Sequence, residues 1–283
     1  MKFTKMHGLG NDYVYVDCTK NKEVIENPSE LSIVVSDRHF GIGSDGLILI
    51  CDSDKCDFKM RIFNADGSEA EMCGNGIRCV GKYVYDYGLT KKKEVSIETL
   101  GGIKILKLNV EDNEVKSAIV DMGKPKLDSD DIINFREENN LRKVNLDVLD
   151  RNFDFTFISM GNPHVVTIVD NVDEIDVDKY GKIIENDPHF PARTNVEFVE
   201  IIDKDNIKMR VYERGAGITL ACGTGACAST TACYFNGLIN NKVKVNLIGG
   251  NLNITYDKDD EHIYMEGPAT KVFDGEIKEI NIK

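Results

Sequence analysis

Sliding the sequence over itself by 149 residues lays Lys59 to Leu89 on Lys208 to Leu238 without a gap. "KMRIFNADGSEAEMCGNGIRCVGKYVYDYGL" covers "KMRVYERGAGITLACGTGACASTTACYFNGL", with nine of 31 positions identical, among them Cys73/Cys222, Gly74/Gly223, Gly76/Gly225 and Gly88/Gly237. Beyond this segment, "VSIETLGGIKI" from Val95 matches "VKVNLIGGNLN" from Val243 after a one-residue slip. Upstream, Gly10-Asn11 before "DYVYVD" matches Gly161-Asn162 before "PHVVTIVD". Solenoid units run to roughly 20 to 50 residues, so a period this long reads as a duplicated domain. The chain must use a fold that can be built twice in 283 residues, a length that suits two domains of ordinary size.

Both copies carry the same local signals. Phe58 to Phe63 and Ile207 to Tyr212 alternate polar and apolar residues and predict strands, as do Val95 to Ile97 and Val243 to Leu247. Each Cys-Gly-x-Gly opens a helix that stops at a glycine, Gly88 or Gly237. Strands are also predicted over 13–17, 47–51, 103–110, 117–122, 155–159, 165–169, 197–202, 252–256, 262–266 and 278–282. The pattern is mixed α+β with few long helices.

The composition is globular, 41% hydrophobic and 29% charged, and no apolar run reaches the eighteen residues of a membrane span. The opening "MKFTKMHGLGNDYVYVD" runs directly into an alternating strand, which predicts no secretory signal and a cytoplasmic protein. A net charge of −13 without a basic patch argues against a nucleic-acid partner. Gly41 to Gly46 lacks the Lys-Ser/Thr ending of a phosphate loop, and neither Cys nor His spacing matches a zinc site, so no nucleotide and no metal is expected.

Of the eight cysteines, Cys18, Cys51, Cys56, Cys79, Cys227 and Cys233 read as inert core, because neither copy keeps them in register. Cys73 and Cys222 stay aligned, each just before a helix N-terminus. The partial positive charge there lowers a thiol pKa from its usual value of about 8.5, and the glycines that follow let an anion approach the helix N–H groups. A single such cysteine is most often packing; a matched pair suits the inversion of a stereocentre, with a base on one face of a carbon and an acid on the other. Such a pair is expected to face across a cleft between the two domains.

The polar tips differ between copies, Asn64-Ala65 against Glu213-Arg214, which suggests an asymmetric ligand. Arginine suits a carboxylate and glutamate an ammonium. Asn11, Asn162 and His164 join the candidates through the aligned "GLGN" and "SMGNPH" segments.

The segments "MHGLGNDYV", "FNADGSEAEMCGNG", "SMGNPH", "RTNVEF" and "VYERGAGITLACGTGA" closely resemble diaminopimelate epimerase, in the family's order. Proline racemase and hydroxyproline epimerase share the Cys-Gly-x-Gly theme but typically carry His where this chain has Asn75. The resemblance implies two pseudo-symmetric domains, 1–121 plus 268–283 and 122–267, each a barrel-like sheet wrapped around a central helix. It implies isomerisation of L,L-diaminopimelate to the meso form without metal or pyridoxal phosphate, in lysine and peptidoglycan precursor synthesis, with a homodimer as candidate assembly. By motif, Cys73 and Cys222 are the acid/base pair, assisted by His164 and Glu213. Gly74, Asn75, Gly223 and Thr224 offer N–H groups to the reacting carboxylate, while Asn11, Asn64, Asn162, Asn195, Glu213 and Arg214 bind the substrate, with Arg214 on the distal carboxylate. One position departs: Gly46 stands where some members have Gln, with Ser44 or water as candidate replacement. A racemase for another amino acid, or a binding protein whose cysteines merely cap helices, stays open at this point.

Overall fold

The computed structural model describes residues 1–128 and 130–278; the strand expected over 278–282 lies outside the described residues apart from Lys278. The chain divides into two compact units, 1–120 with 267–283, and 121–266. It is an α+β protein with few helices.

The first unit is a mixed sheet whose neighbours run in the order Thr270–Glu276, Lys2–Gly8, Asn11–Asp17, Gly46–Cys51, Phe58–Asn64, Glu94–Thr99, Gly102–Glu111 and Glu114–Gly123. Successive pairs are antiparallel, antiparallel, parallel, antiparallel, parallel, antiparallel and antiparallel. In the second unit the order is Leu141–Val148, Arg151–Ser159, Pro163–Ile168, Asn195–Asp203, Asn206–Glu213, Lys242–Leu247, Gly250–Tyr256 and Ile263–Pro268, with the same sequence of orientations. The duplication therefore extends to register. Ile207 pairs with Val245 as Phe58 pairs with Ile97, which reproduces the one-residue slip. Only the first strand of each set differs in origin: in the first unit it comes from the far end of the chain, Lys2 pairing with Glu276.

Each sheet buries one helix. We label the helices α1 (Pro28–Ser36), α2 (Gly74–Asp86), α3 (Val177–Glu185) and α4 (Gly223–Phe235). α2 is buried continuously from Gly74 to Val84, and α4 nearly so from Gly223 to Cys233. Burial on every side demands small residues, which α4 supplies as "GACASTTAC". In α2, a Cβ at Gly81 would fall 2.8 Å from Leu106 Cδ2 and 2.9 Å from Leu108 Cδ2, so both leucine side chains would have to shift to admit one. α2 also carries Arg78 into the interior, where it donates to Gly74 O at 3.0 Å and Asn75 Oδ1 at 2.8 Å. Both helices end as their sequences predict, with Gly88 and Gly237 in the left-handed region at φ 72°.

α1 and α3 have no counterpart among the sequence expectations. They lie on the other side of their sheets, where Leu31 and Val35 of α1 pack with Val14, Leu47 and Phe63, and Tyr180 and Ile184 of α3 with Phe155, Val196 and Phe198. The 149-residue shift relates them residue for residue, yet "PSELSIVVS" and "VDKYGKIIE" share no residue. Their caps correspond as well: Asn27 accepts from Glu30 N and Asp176 from Lys179 N.

Candidate active site

In each unit the strand that precedes the buried helix ends in a turn, and a cysteine becomes the N-cap. Cys73 (φ −134°, ψ 118°) and Cys222 (φ −112°, ψ 112°) both have extended backbones, and both accept the third helical N–H on sulfur. Gly76 N lies 3.4 Å from Cys73 Sγ and Gly225 N 3.3 Å from Cys222 Sγ. Ser, Thr, Asn or Asp ordinarily takes this role. Here a thiol sulfur lies at the positive end of a helix dipole, an influence toward thiolate that burial outweighs at Cys222. Gly74 and Asn75 in one unit, Gly223 and Thr224 in the other, form the first helical positions, whose N–H groups point along the axis toward an incoming anion.

The half-buried Cys73 lies beside Asn11, to whose Oδ1 its S–H donates at 3.3 Å. Asn11 Nδ2 donates to Asp45 Oδ2 at 2.9 Å, and Asp45 is in turn bound by Arg38 at 2.8 Å. Asn75 Nδ2 reaches the same Asn11 oxygen at 3.5 Å. The buried Tyr13 hydroxyl lies near this thiol; burial, and then the charge that Cys73 would carry, push its pKa well above the usual value. Asn64 ends its strand and donates to Ser68 Oγ at 3.0 Å across the turn that follows.

Cys222 is buried. Burial pushes its thiol pKa well up, the charges of Glu213 and Glu197 add to that, and the Thr224 hydroxyl and Gly225 N–H act in the opposite direction. Asn162 Nδ2 donates to Thr224 Oγ1 at 3.4 Å, and its Oδ1 lies 3.1 Å from His164 Nε2. His164 is fully buried and pairs through Nδ1 with Glu197 Oε1 at 2.7 Å. Glu213 accepts from the Thr219 hydroxyl. Arg214 is exposed and donates to Ala192 O at 3.0 Å.

Cys73, Asn11 and Asn75 thus form one cluster, and Cys222, Thr224, Asn162 and His164 another. Asn195 is placed differently from a free ligand. Its Nδ2 donates to Pro163 O at 2.8 Å and its Oδ1 accepts from Arg214 N at 2.9 Å, so it braces the loop that presents Arg214. Ser44 is buried, donating to Gly46 O at 2.9 Å and sharing a contact with Ser36 Oγ, which removes it as a replacement for the missing Gln. Sequence reasoning assigned nothing to Tyr13, Asp45 and Glu197. The signal for Glu197 was a carboxylate inside the buried run of strand Asn195–Asp203. Among the described residues, no group of three or more His, Cys, Asp and Glu is arranged to hold a metal ion, and no helix is long and apolar enough to cross a membrane.

The family model for diaminopimelate epimerase matches residues 3–127 and 156–272. The diaminopimelate epimerase of Methanococcus maripaludis strain S2 is 57% identical over 98% of this chain and 99% of its own. Those of Acetivibrio thermocellus and Bacteroides thetaiotaomicron are 55% and 53% identical, each over 98% of both chains. Among solved structures, a probable proline racemase from Agrobacterium radiobacter K84 matches with a TM-score of 0.72 at 14% identity, covering 98% of this chain and 92% of that one. A phenazine biosynthesis protein of the PhzF family from Bacillus anthracis matches with a TM-score of 0.71 at 18% identity and 98% coverage of both. At such identities the likeness is one of fold.

Proposed function

The chain belongs to the diaminopimelate epimerase family, and from that membership we propose that Cys73 and Cys222 are the two acid/base groups of a cofactor-independent epimerisation. The activity is that of its relatives, epimerisation of diaminopimelate in lysine biosynthesis. The supply of peptidoglycan precursors from the meso product, a cytoplasmic location and assembly as a homodimer belong to this proposal.

The observation that carries the mechanism is the matched pair of thiol caps, each sulfur bound by the third N–H of a buried helix. One thiolate removes the α-proton of the L,L isomer, the electron pair moves into the adjacent carboxylate, and the other thiol returns a proton on the opposite face. The reverse reaction exchanges the two roles. Gly74, Asn75, Gly223 and Thr224 N–H groups receive the carboxylate as it gains charge, the kind of electrostatic stabilisation that works through donors fixed beforehand. Asn11, Asn64, Asn162, Asn195, Glu213 and Arg214 bind the rest of the substrate, and Asn195 also holds the Arg214 backbone. His164 and Glu213 bear on the protonation of the thiols.

In D2O the enzyme is expected to place deuterium at the inverted α-carbon of diaminopimelate, one atom per turnover, read by mass spectrometry of the product. Inversion without solvent label would rule out thiols that exchange with water. For the distal carboxylate, Arg214→Ala is expected to raise KM by about 10- to 100-fold with a smaller change in kcat, the pattern of a lost charge-assisted binding contact. A KM unchanged in steady-state assays would remove Arg214 from that role.

A further inference from the structure

The surroundings of the two thiols differ most beneath their caps. A Cβ at Gly76 would meet Ile48 Cδ1 at 2.7 Å, whereas one at Gly225 would meet Glu197 Oε1 at 2.7 Å and Cys222 Sγ at 3.2 Å. Ile48 and Glu197 are related by the 149-residue shift, so the second copy has a carboxylate where the first has an aliphatic chain. Glu197 and His164 are both fully buried, and Glu197 Oε2 has no hydrogen-bond partner among the described residues. From His164 a chain of contacts returns to the thiol: Nε2 to Asn162 Oδ1 at 3.1 Å, Asn162 Nδ2 to Thr224 Oγ1 at 3.4 Å, and Thr224 Oγ1 to Cys222 Sγ at 3.5 Å.

The directions of the bonds between Asn162 and His164 follow from the Asn162 amide. Asn162 gives its NH2 group to Thr224, so its Oδ1 accepts and His164 Nε2 carries a hydrogen. The 2.7 Å contact between Nδ1 and Oε1 then holds a further proton, on the ring or on the carboxyl. Either placement makes the pair neutral overall, which is what complete burial with one bare oxygen favours. Burial accordingly raises the Glu197 pKa, with His164 opposing. Thr224, accepting from Asn162, keeps its one hydrogen available to Cys222 Sγ at 3.5 Å, the direction that stabilises thiolate.

We propose that Glu197 is a positioning residue for Cys222: by sharing one proton with His164 it sets the donor direction of the chain and aims the Thr224 hydroxyl at the sulfur. Loss of that proton leaves Nε2 an acceptor. Asn162 then turns its NH2 to the ring, and Thr224 donates to Asn162 instead of to Cys222. The other titratable groups facing the pair are Glu213, on the adjacent strand, and Cys222 itself. The inference rests on Cys222 being one of the acid/base groups.

Glu197→Gln offers Nδ1 an N–H and keeps the hydrogen on Nε2. This is the reverse of a Ser-His-Asp triad, where the acid accepts from Nδ1–H and an amide in its place produces the wrong tautomer. Glu197→Gln is therefore expected to keep kcat/KM within about threefold of wild type at neutral pH and to push the basic limb of the pH profile upward. Glu197→Ile, which copies the first unit, leaves Nδ1 unpaired and is expected to lower kcat about 100-fold with KM nearly unchanged. Alkylation of Cys222 by iodoacetamide in a Cys73→Ala background should slow with Glu197→Ile and not with Glu197→Gln. The proposal is overturned if Glu197→Gln is as impaired as Glu197→Ile, if Glu197→Ile turns over at the wild-type rate, or if the basic limbs of Glu197→Gln and wild type coincide. Should Glu197→Ile not fold, that comparison of basic limbs decides alone. Full epimerisation by Cys222→Ala would instead remove the reading on which the inference rests.

Discussion

Replacing Cys73 or Cys222 by alanine is expected to lower kcat/KM for epimerisation by about 10⁴-fold, the upper end of what one acid/base group supplies. In the proposed two-base mechanism the loss is this large because each thiol has a role that the other, acting on the opposite face of the carbon, cannot take over. Folding is expected to survive. An N-cap side chain contributes about 1 kcal/mol, and loss of that amount moves the melting temperature of a unit this size by about 2 to 4 °C. Circular dichroism melts would then separate a lost cap from a lost acid. The variants should also differ from wild type in stereochemistry. A remaining thiolate can still exchange the α-proton of the isomer presented to it, but with no acid on the far face the proton returns to the side it left. Residual deuterium uptake is therefore expected with retention, seen as label in unreacted substrate and none in the epimer. Epimerisation at the wild-type rate by either variant would sink the two-base reading.

The caps were legible in the sequence because capping is local: sulfur, the N–H it accepts and the glycines between them lie within four residues of one another. α1 and α3 were hidden for the opposite reason. Each is nine residues long, and divergence has erased all identity between them while the backbone kept its place. What preserves them is packing against a sheet whose register is itself duplicated. Glu197 was unreadable because its meaning depends on His164, 33 residues away on the neighbouring parallel strand, and on complete burial. Asn195 shows what motif transfer leaves out: one N–H and one lone pair of its amide hold the backbone at Pro163 and Arg214, a second contact set that the family pattern does not announce.

Gly46 is the position where introducing the Gln of some family members is expected to do harm. A Cβ there would lie 2.1 Å from Phe63 O and 3.0 Å from the Tyr13 ring, so a side chain cannot be added without moving a paired strand. The second unit shows why its counterpart, Asn195, is tolerated. In the first unit strand pairing includes Gly46 opposite Asn64, whereas in the second it begins one residue later, at Val196 opposite Tyr212. That opened end gives the Asn195 side chain room to accept from Arg214 N, a bond that has no equivalent beside Gly46. Gly46→Gln is thus expected to cost about 3 kcal/mol by overpacking and to lower the melting temperature by about 10 °C, with activity falling as the Asp45–Asn11 contact beside Cys73 is displaced. Gly46→Ala should already show most of the loss, because the clash is at Cβ. A Gly46→Gln protein that melts with wild type and binds diaminopimelate more tightly would show that the strand pair yields, and that the glycine is a missing contact instead of a packing requirement.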